Sequence, residues 1–269
     1  MSTQNFNISV ILPIKTISVI DFNEYFDKCI NSIKTQELPV NELVIVHTDE
    51  TSLVEHLNNY DFGDLNVKKL IWTEEPDYAK QVNYGVKEAS SEWVSLFEID
   101  DEYSKIWFKN VKKYSESYPE AQGFLPIVID VDERGIFAGF TNEATFALNI
   151  SSEMGILTNE TLHTYQNFQI SGMVIKKSSY LDYGGMKPSF KLTFGYEFFL
   201  RMTYNSVKFI SIPRIGYKHT NLRTGSIFWN YKNGENVLTE NEVKFWIESS
   251  KKEYFFVKER DIKYEDVNV

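Results

Sequence analysis

Cysteine is almost absent from this sequence: Cys29 is the single one among 269 residues. One cysteine cannot form an internal disulfide, which excludes a disulfide-stapled secreted scaffold and is typical of a reducing compartment. No cysteine and histidine residues have the spacing of a structural zinc site either. We therefore expect a cytoplasmic protein that is held together by packing alone.

Basic charge and long apolar runs are also scarce. The chain has 28 Lys and Arg against 38 Asp and Glu, so its formal net charge is −10. An acidic chain without a block of Lys or Arg is not expected to bind nucleic acid or an anionic membrane surface. No apolar run approaches the roughly 18 residues of a transmembrane helix, and no signal peptide opens the sequence. These absences predict a protein with no transmembrane segment and no nucleic-acid partner.

Apolar material is nevertheless plentiful, because hydrophobic residues make up 42% of the chain and aromatic residues 15%. This is enough for one large domain with an appendage. In the first hundred residues, apolar runs alternate with amphipathic segments, as in a doubly wound, mostly parallel sheet. The predicted strands are Ile8–Ile14, 43–46, Val67–Trp72 and 93–97, with helices between them.

The pattern changes in the second half of the chain, where strands and helices no longer alternate regularly. Residues 141–166 fit no element and predict a loop. Three pairs have the spacing of a helix capping box, Asp21 with Glu24, Ser52 with Glu55 and Thr239 with Glu242. The further predictions are a helix from about 104, a hairpin turning at 132–135, strands at 124–131, 168–176 and 207–212, and helices at Phe194–Tyr204 and 239 to about 257.

Three carboxylates, those of Glu98, Asp100 and Asp101, follow directly after the predicted strand 93–97. Open α/β sheets bind their ligands at the carboxyl ends of the strands. Carboxylates this close repel one another unless a cation lies among them, and oxygen ligands favour Mg²⁺ or Mn²⁺ over zinc. An acidic turn exposed to solvent is the alternative interpretation of the same residues.

Several short motifs also follow one another in a characteristic order. They are Ser9-Val-Ile-Leu-Pro13, Ser32-Ile33-Lys34-Thr35-Gln36, Glu42-Leu-Val-Ile-Val46, Asn83-Tyr84-Gly85, Glu98-Ile99-Asp100, Ile170-Ser-Gly-Met-Val-Ile175, Gly184-Gly185 and Tyr196-Glu197-Phe-Phe-Leu-Arg201. In order and spacing this series resembles the family-2 glycosyltransferases of the GT-A fold. The similarity extends from about residue 8 to about residue 226.

The resemblance implies an α/β fold of the GT-A type: a Rossmann-like, doubly wound mixed sheet with an α+β subregion on the acceptor side and a C-terminal helix. Residues 1–226 would form the glycosyltransferase domain, with a nucleotide-binding half at 1–117 and an acceptor-binding half at 118–226. Residues 227–269 would be a helical extension packed on this domain. The aromatic residues of the extension leave packing against a second copy, and so a homo-oligomer, open.

The function implied by the resemblance is metal-dependent transfer of a hexose from a nucleotide-diphosphate sugar, expected to be a UDP-sugar, to a glycan or lipid-linked hydroxyl. Inversion at the sugar carbon is implied as well. The cofactor would be Mn²⁺ or Mg²⁺, whose charge offsets that of the departing diphosphate. A carboxylate would take the proton of the acceptor hydroxyl.

The resemblance also assigns roles to particular residues. Asp100 is the expected main metal ligand, assisted by Glu98, Asp101 and His219. Glu197 is the expected catalytic base, which takes the proton of the acceptor hydroxyl. Phosphate binding is expected from Lys218 and Arg223. The expected nucleotide-binding residues are Pro13, Lys15, Asp49, Lys80, Asn83 and Ile99.

The sequence departs from the family pattern at two places that bear on catalysis. His47 and Thr48 stand where two consecutive aspartates are usual. Asp49 is therefore the residue expected to bind the nucleobase of the donor. Phe194-Gly195 stands where a Glu-Asp pair is usual, which leaves Glu197. A helix-surface pair of Glu197 with Arg201 is the alternative interpretation of that glutamate.

Two other functions fit parts of the sequence. An inactive binding module of the same shape would explain the missing Glu-Asp pair. A sugar-1-phosphate nucleotidyltransferase would share the fold, but it needs a glycine-rich basic loop after the first strand. Residues 15–19 contain no glycine, so we favour this alternative least.

Overall fold

One mixed sheet organises the residues described by the structure, a computed structural model; these are residues 6–143, 145, 155–234 and 236–260. Its strands are β1 (Ile8–Ile14), β2 (Glu42–Thr48), β3 (Val67–Trp72), β4 (Trp93–Leu96), β5 (Glu102–Tyr103), β6 (Gly123–Val131), β7 (Phe137–Thr141), β8 (Gly155–Leu157), β9 (Val174–Lys176) and β10 (Phe209–Thr220). The spatial order is β3-β2-β1-β4-β9-β6-β10-β5, with β7 beside β6 and β8 beside β10.

Helices cover both faces of this sheet. They are α1 (Phe22–Lys34), α2 (Thr51–Asn59), α3 (Tyr78–Glu88), α4 (Trp107–Ser117), α5 (Asn159–Thr164), α6 (Lys177–Asp182), α7 (Phe194–Tyr204), α8 (Ile227–Asn233) and α9 (Glu240–Glu253). Within the described residues, none of these helices is both long enough and apolar enough to cross a bilayer.

The two faces of β1 explain its continuous apolar run. Val10 and Leu12 contribute to a core shared with α1, α2 and α4, whereas Ile11 contributes to the opposite core, which is shared with α3, α7 and α9. Successive side chains of a strand point to opposite faces, so a strand buried on both sides is apolar at every position. β1 pairs in parallel with β2 and β4, and β2 pairs in parallel with β3. The predicted doubly wound α/β fold is confirmed.

The last strand differs from its prediction in a way that shapes the site. The pattern predicted a strand ending at residue 212, but β10 continues to Thr220. Its register against β6 shifts between Ile212 and Ile215 and again before Tyr217. Bulges of this kind bend a strand and redirect its side chains. The polar segment that begins at Tyr217 therefore lies in the sheet, not in a loop.

The predicted strand 168–176 is also shorter than expected, because β9 begins only at Val174. Gly172 has φ +75°, and a Cβ added there would lie 2.4 Å from the Tyr217 ring. A residue with a side chain could not take this turn beside that ring. The turn places residues 166–171 along the edge of the site.

The C-terminal helix packs on the domain as its capping pattern suggested. The backbone N–H of Glu242 donates to Thr239 Oγ1 (3.2 Å), and that of Thr239 donates to the Glu242 carboxylate (2.8 Å), which confirms this capping box. Thr193 before α7 donates to the Trp246 carbonyl. The box predicted at Asp21 is wrong, because Asp21 is left-handed at φ 58° and makes no side-chain cap.

Candidate active site

The carboxyl ends of β1 and β4 open onto a cavity of about 750 Å³. Pro13 and Lys15 line it from the end of β1, and Glu98 to Asp100 line it from the turn after β4. His219 and the segment that follows β10 close this side. The opposite wall consists of residues 166–171, 192–196 and the start of α8. A cleft at this edge is the expected ligand site of an open α/β sheet.

A cluster of Glu98, Asp101 and His219 lies on the cavity's sheet side. One ligand atom from each lies within 4.8 Å of the others, a spacing that could hold a metal ion. Asp101 is fully buried; it accepts the backbone N–H of Thr220 (2.8 Å), and its other oxygen lies 3.1 Å from His219 Nδ1. The bulged end of β10 thus brings an imidazole to the carboxylates that follow β4. Two carboxylates and one imidazole can hold a divalent cation: the carboxylates suit Mn²⁺ or Mg²⁺, whereas the imidazole suits a transition metal better than Mg²⁺.

Asp100, the expected main metal ligand, has a different partner. Its Oδ2 accepts from Arg223 Nε at 2.5 Å, and both side chains are largely buried. Asp100 is not one of the three residues whose ligand atoms lie within 4.8 Å of one another. In this structure it pairs with Arg223, and its role as the main metal ligand stays a prediction.

The pKa values in this cluster reflect burial and close charges. Burial, followed by the charge of Asp101, raises the pKa of Glu98 to about 7. Burial alone would lower the pKa of His219, but the Asp101 carboxylate beside it raises the value to about 10. Burial also raises the pKa of Asp100, although Arg223 opposes this shift. The imidazolium and the guanidinium therefore offset part of the acidic charge that faces the cavity.

Three of the expected nucleotide-binding residues line the cavity: Pro13, Lys15 and Ile99. Asp49 is exposed and is not among the lining residues. Its neighbour Glu50 accepts a hydrogen bond from the backbone of Ile17 (3.1 Å) and so joins the loop after β2 to the loop after β1. Reading of the nucleotide base by Asp49 stays a prediction.

Asn83 has a structural role instead of the expected nucleotide contact. Its amide donates to the Met186 carbonyl (2.8 Å), and its carbonyl accepts from the Tyr180 hydroxyl (2.6 Å) and from the Met186 backbone. These bonds fasten α3 to the segment after α6. Both polar atoms of the side chain are thus engaged at this junction, and a nucleotide contact by Asn83 stays a prediction.

Neither expected lysine contact is formed at the cavity. Lys80 is exposed and lies 3.7 Å from Glu74. Lys218 forms an ion pair with Glu102, its partner in the β10–β5 register. Among the described residues, the basic side chains that line the cavity are Lys15 and Arg223. Both ammonium groups have carboxylate partners in this structure, and phosphate binding by Lys80 or Lys218 stays a prediction.

Glu197, the expected base, is fully buried between two cations. Arg201 makes two hydrogen bonds to its carboxylate at 2.9 Å, and Lys187 Nζ lies 2.7 Å from Oε1. The cavity is lined by Phe194, Gly195 and Tyr196 but not by Glu197. The alternative pairing with Arg201 is present, but it is buried and does not lie on the helix surface. This enclosed position does not favour a base role for Glu197.

Three further side chains of the site had no role assigned from the sequence. Ser171 donates a short hydrogen bond to Glu98, and the Tyr217 hydroxyl accepts the Glu98 backbone N–H at 3.3 Å. Asp130 of β6 lines the cavity; with Asp132 it has the spacing of a metal pair, which the alternation of a hairpin explains equally well. Ser171 lies in the turn before β9, and the pairing of β6 with β10 places Asp130 and Tyr217.

Comparison with known proteins agrees with this geometry. Residues 9–166 match the family model described as Glycosyl transferase family 2. The match covers more than half of the 269-residue chain. The chain therefore belongs to glycosyl transferase family 2.

Individual relatives cover smaller parts of the sequence or share less identity. The SPbeta prophage-derived glycosyltransferase SunS of Bacillus subtilis (strain 168) is 30% identical over 95 residues, and so is glycosyltransferase SunS of Bacillus phage SPbeta. These matches cover 35% of this chain and 21% of each SunS protein. The chain thus aligns with about a fifth of the length of these relatives.

Among solved structures, TarS 1-349 of S. aureus in complex with UDP-GlcNAc superposes with a TM-score of 0.61 at 19% identity. The superposition covers 83% of this chain and 60% of the TarS chain. The complex of TarS 1-349 with UDP gives a TM-score of 0.59, also at 19% identity, and covers 80% and 60% of the two chains. At this identity the similarity concerns the fold.

Proposed function

We propose that the chain transfers a sugar from a UDP-linked donor to a hydroxyl acceptor. The observation that carries this proposal is the cluster of Glu98, Asp101 and His219. Glu98 and His219 line the same cavity as Arg223 and Lys15, whereas Asp101 is fully buried. A divalent cation together with two basic side chains suits a diphosphate, which needs positive charge on more than one side. The TarS structures that contain UDP and UDP-GlcNAc support a uridine nucleotide as the donor.

Each residue of the donor side has a definite task in this proposal. Glu98, Asp101 and His219 would hold the cation, Mn²⁺ or Mg²⁺, and Thr220 and Ser171 orient two of these ligands through hydrogen bonds. When bound, the cation stabilises the negative charge of the departing diphosphate. Arg223 would contact the same phosphates, because Asp100 holds its guanidinium at the rim.

The opposite wall would receive the acceptor. Phe168, Phe194, Tyr196 and Phe228 supply aromatic surface there, and Gln166 and Gln169 supply amides. Aromatic faces with a few amides are typical of sites for neutral polar ligands such as sugars. We propose a glycan or lipid-linked acceptor, a hexose as the transferred sugar and inversion at its carbon. A cytoplasmic location and a homo-oligomer formed through α9 stay predictions.

An inactive donor-binding module is the second candidate. It is favoured by one observation: Phe194 and Gly195 line the cavity where the family has acids, and Glu197 is buried in an ion-pair cluster. Such a module would bind a UDP-sugar without breaking the bond between the sugar and the diphosphate.

Release of UDP from UDP-sugars separates the two candidates. We expect UDP release from UDP-GlcNAc or a related UDP-sugar in the presence of Mn²⁺, and its loss on adding EDTA. The Asp101→Asn variant should be inactive, whereas Asp132→Asn, which changes an exposed carboxylate paired with Arg134, should keep the wild-type rate. Donor binding without UDP release from any UDP-sugar would favour the inactive module.

A further inference from the structure

Asp130 is a carboxylate of the cavity that has no role in the proposed donor site. It lies near the end of β6, directly opposite His219 of β10 in the strand register. Neighbouring strands lie about 4.8 Å apart, so Asp130 is one strand away from the cation cluster. Its side chain is largely buried, yet it lines the cavity.

Hydrogen bonds orient Asp130, and the charges that act on it come from His219 and Asp101 of the cation cluster. Thr141 Oγ1 donates to Oδ2 at 2.5 Å, and Gln169 Nε2 lies 3.4 Å from Oδ1. Among the described residues, Asp130 takes part in no ion pair with Lys or Arg. Gln169 belongs to the wall that we assign to the acceptor. The carboxylate is therefore fixed between the donor side and the acceptor side.

The other carboxylates that line the cavity within the described residues already have partners. Glu98 belongs to the cation cluster, and Asp100 is paired with Arg223. Asp77 caps α3 by accepting the Lys80 backbone N–H at 2.8 Å. Glu197 is buried away from the cavity by Lys187 and Arg201. Asp130 also accepts hydrogen bonds, from Thr141 and Gln169, but it belongs to no cation site, ion pair with Lys or Arg, or helix cap among the described residues, and Gln169 connects it to the acceptor wall.

We propose that Asp130 is the catalytic base of this enzyme, in place of the missing acidic pair at Phe194-Gly195. This inference depends on the glycosyl transfer proposed above. The acceptor oxygen forms a bond to the anomeric carbon while the bond from that carbon to the diphosphate oxygen breaks. The electron pair of the broken bond leaves with UDP, and the acceptor proton passes to a carboxylate oxygen of Asp130.

The test uses water and azide as two nucleophiles for the same donor, UDP-GlcNAc, with Mn²⁺. Attack by water requires a proton to be removed, whereas azide is already an anion and needs no base. For Asp130→Asn we expect hydrolysis to fall by about 10²–10⁴-fold, the usual contribution of a base. UDP release driven by azide should stay within about threefold of wild type, and so should the dissociation constant of UDP-GlcNAc. Asp132→Asn should change none of these quantities.

Three results would overturn the assignment. Hydrolysis by Asp130→Asn at the wild-type rate would show that another group removes the proton. Equal losses with water and azide, at unchanged donor affinity, would indicate a positioning role. Weaker binding of UDP-GlcNAc but not of UDP would indicate a donor-sugar contact.

Thermal melting first checks that the variant is folded. If Asp130→Asn does not fold, Asp130→Ser is measured in the same way. A wild-type protein that binds no UDP contradicts the proposed function itself.

Discussion

Glu197, Arg201 and Lys187 form a fully enclosed ionic cluster beneath the acceptor wall. The exposed fractions of their side chains are 0%, 0% and 3%. Burial lowers the pKa of Lys187, and the Glu197 carboxylate opposes this shift. Lys187 also donates to the Phe256 carbonyl at 2.6 Å. The cluster therefore connects α7 to the segment directly after α9, which contains Phe256.

Replacing Glu197 with Gln should destabilise the protein by about 3–5 kcal/mol, because two buried cations lose their anion. Urea unfolding would measure this loss. Glu248→Gln is the matched control, since Glu248 pairs with Lys251 at the surface of α9 and exposed pairs contribute little. Folded Glu197→Gln should still release UDP from the donor. A fully stable but inactive variant would restore Glu197 as the base.

Residue types at the site could be predicted from the sequence better than their partners. Acidic residues after a buried strand indicated a ligand site, and Arg223 and His219 were expected near it. The pairing of Asp100 with Arg223 could not be predicted, because the bulges in β10 decide which side chains of that strand reach the turn after β4. Burial of Glu197 was equally hidden, since Lys187 comes from a separate segment.

At the scale of elements, α3 packs on the parallel strands through Gly85. A Cβ at this position would lie 2.6 Å from Ile11 Cγ2 and 3.0 Å from Val46 Cγ2. We expect Gly85→Ala to cost about 1–3 kcal/mol through overpacking, despite the better helix propensity of alanine. Gly139→Ala on β7 is the control, because a Cβ there meets nothing within 4 Å. Chemical denaturation compares the two, and equal stabilities would contradict the packing argument.

The loop that carries Lys15 is fastened by Glu50, which makes its stability depend on pH. Burial alone would raise the pKa of Glu50, but hydrogen bonds from Thr16, Ile17 and Ser52 hold it below the ordinary value of 4.5. A carboxylate with a lowered folded pKa stabilises the fold above its unfolded pKa and loses this effect as the pH falls through the folded value.

We therefore expect Glu50→Gln to be less stable than wild type near neutral pH. The difference should shrink as the pH falls below 4.5, the ordinary pKa of the group, because both proteins are then neutral at this position. Thermal melting across this range measures the effect. A difference that is the same at every pH would show that the hydrogen bonds, and not the charge, stabilise the loop.

Elements with a regular apolar pattern could be predicted with accurate bounds. The buried strand Ile8–Ile14 and the helix Phe194–Tyr204 were found as expected, and so was Val67–Trp72, which is a partly exposed edge strand. The continuation of β10 beyond Pro213 could not be predicted, because proline and polar residues usually end a strand. The short strand β5 exists only through its pairing with that continuation.

At the scale of the whole molecule, the order of motifs was enough to predict the fold and the family. The division at residue 226 stays a prediction, and its extension to 269 lies partly outside the described residues. The protein is acidic, yet its cavity is lined by Arg223 and Lys15 as well as by Glu98 and His219 of the candidate cation site. Local charge at the cavity, rather than the net charge of −10, decides which ligand is attracted.

The most direct test of the account is calorimetric titration of UDP into the protein with Mn²⁺ and with EDTA. We predict that Mn²⁺ strengthens UDP binding to the wild type and to Asp132→Asn. This gain should be lost in Asp101→Asn and in Glu98→Gln, whose folding is checked by thermal melting. Two results would contradict the claim that Glu98 and Asp101 hold a cation that binds the diphosphate. One is a UDP affinity that is equal with and without Mn²⁺, and the other is an Mn²⁺-dependent increase in affinity that persists in both variants.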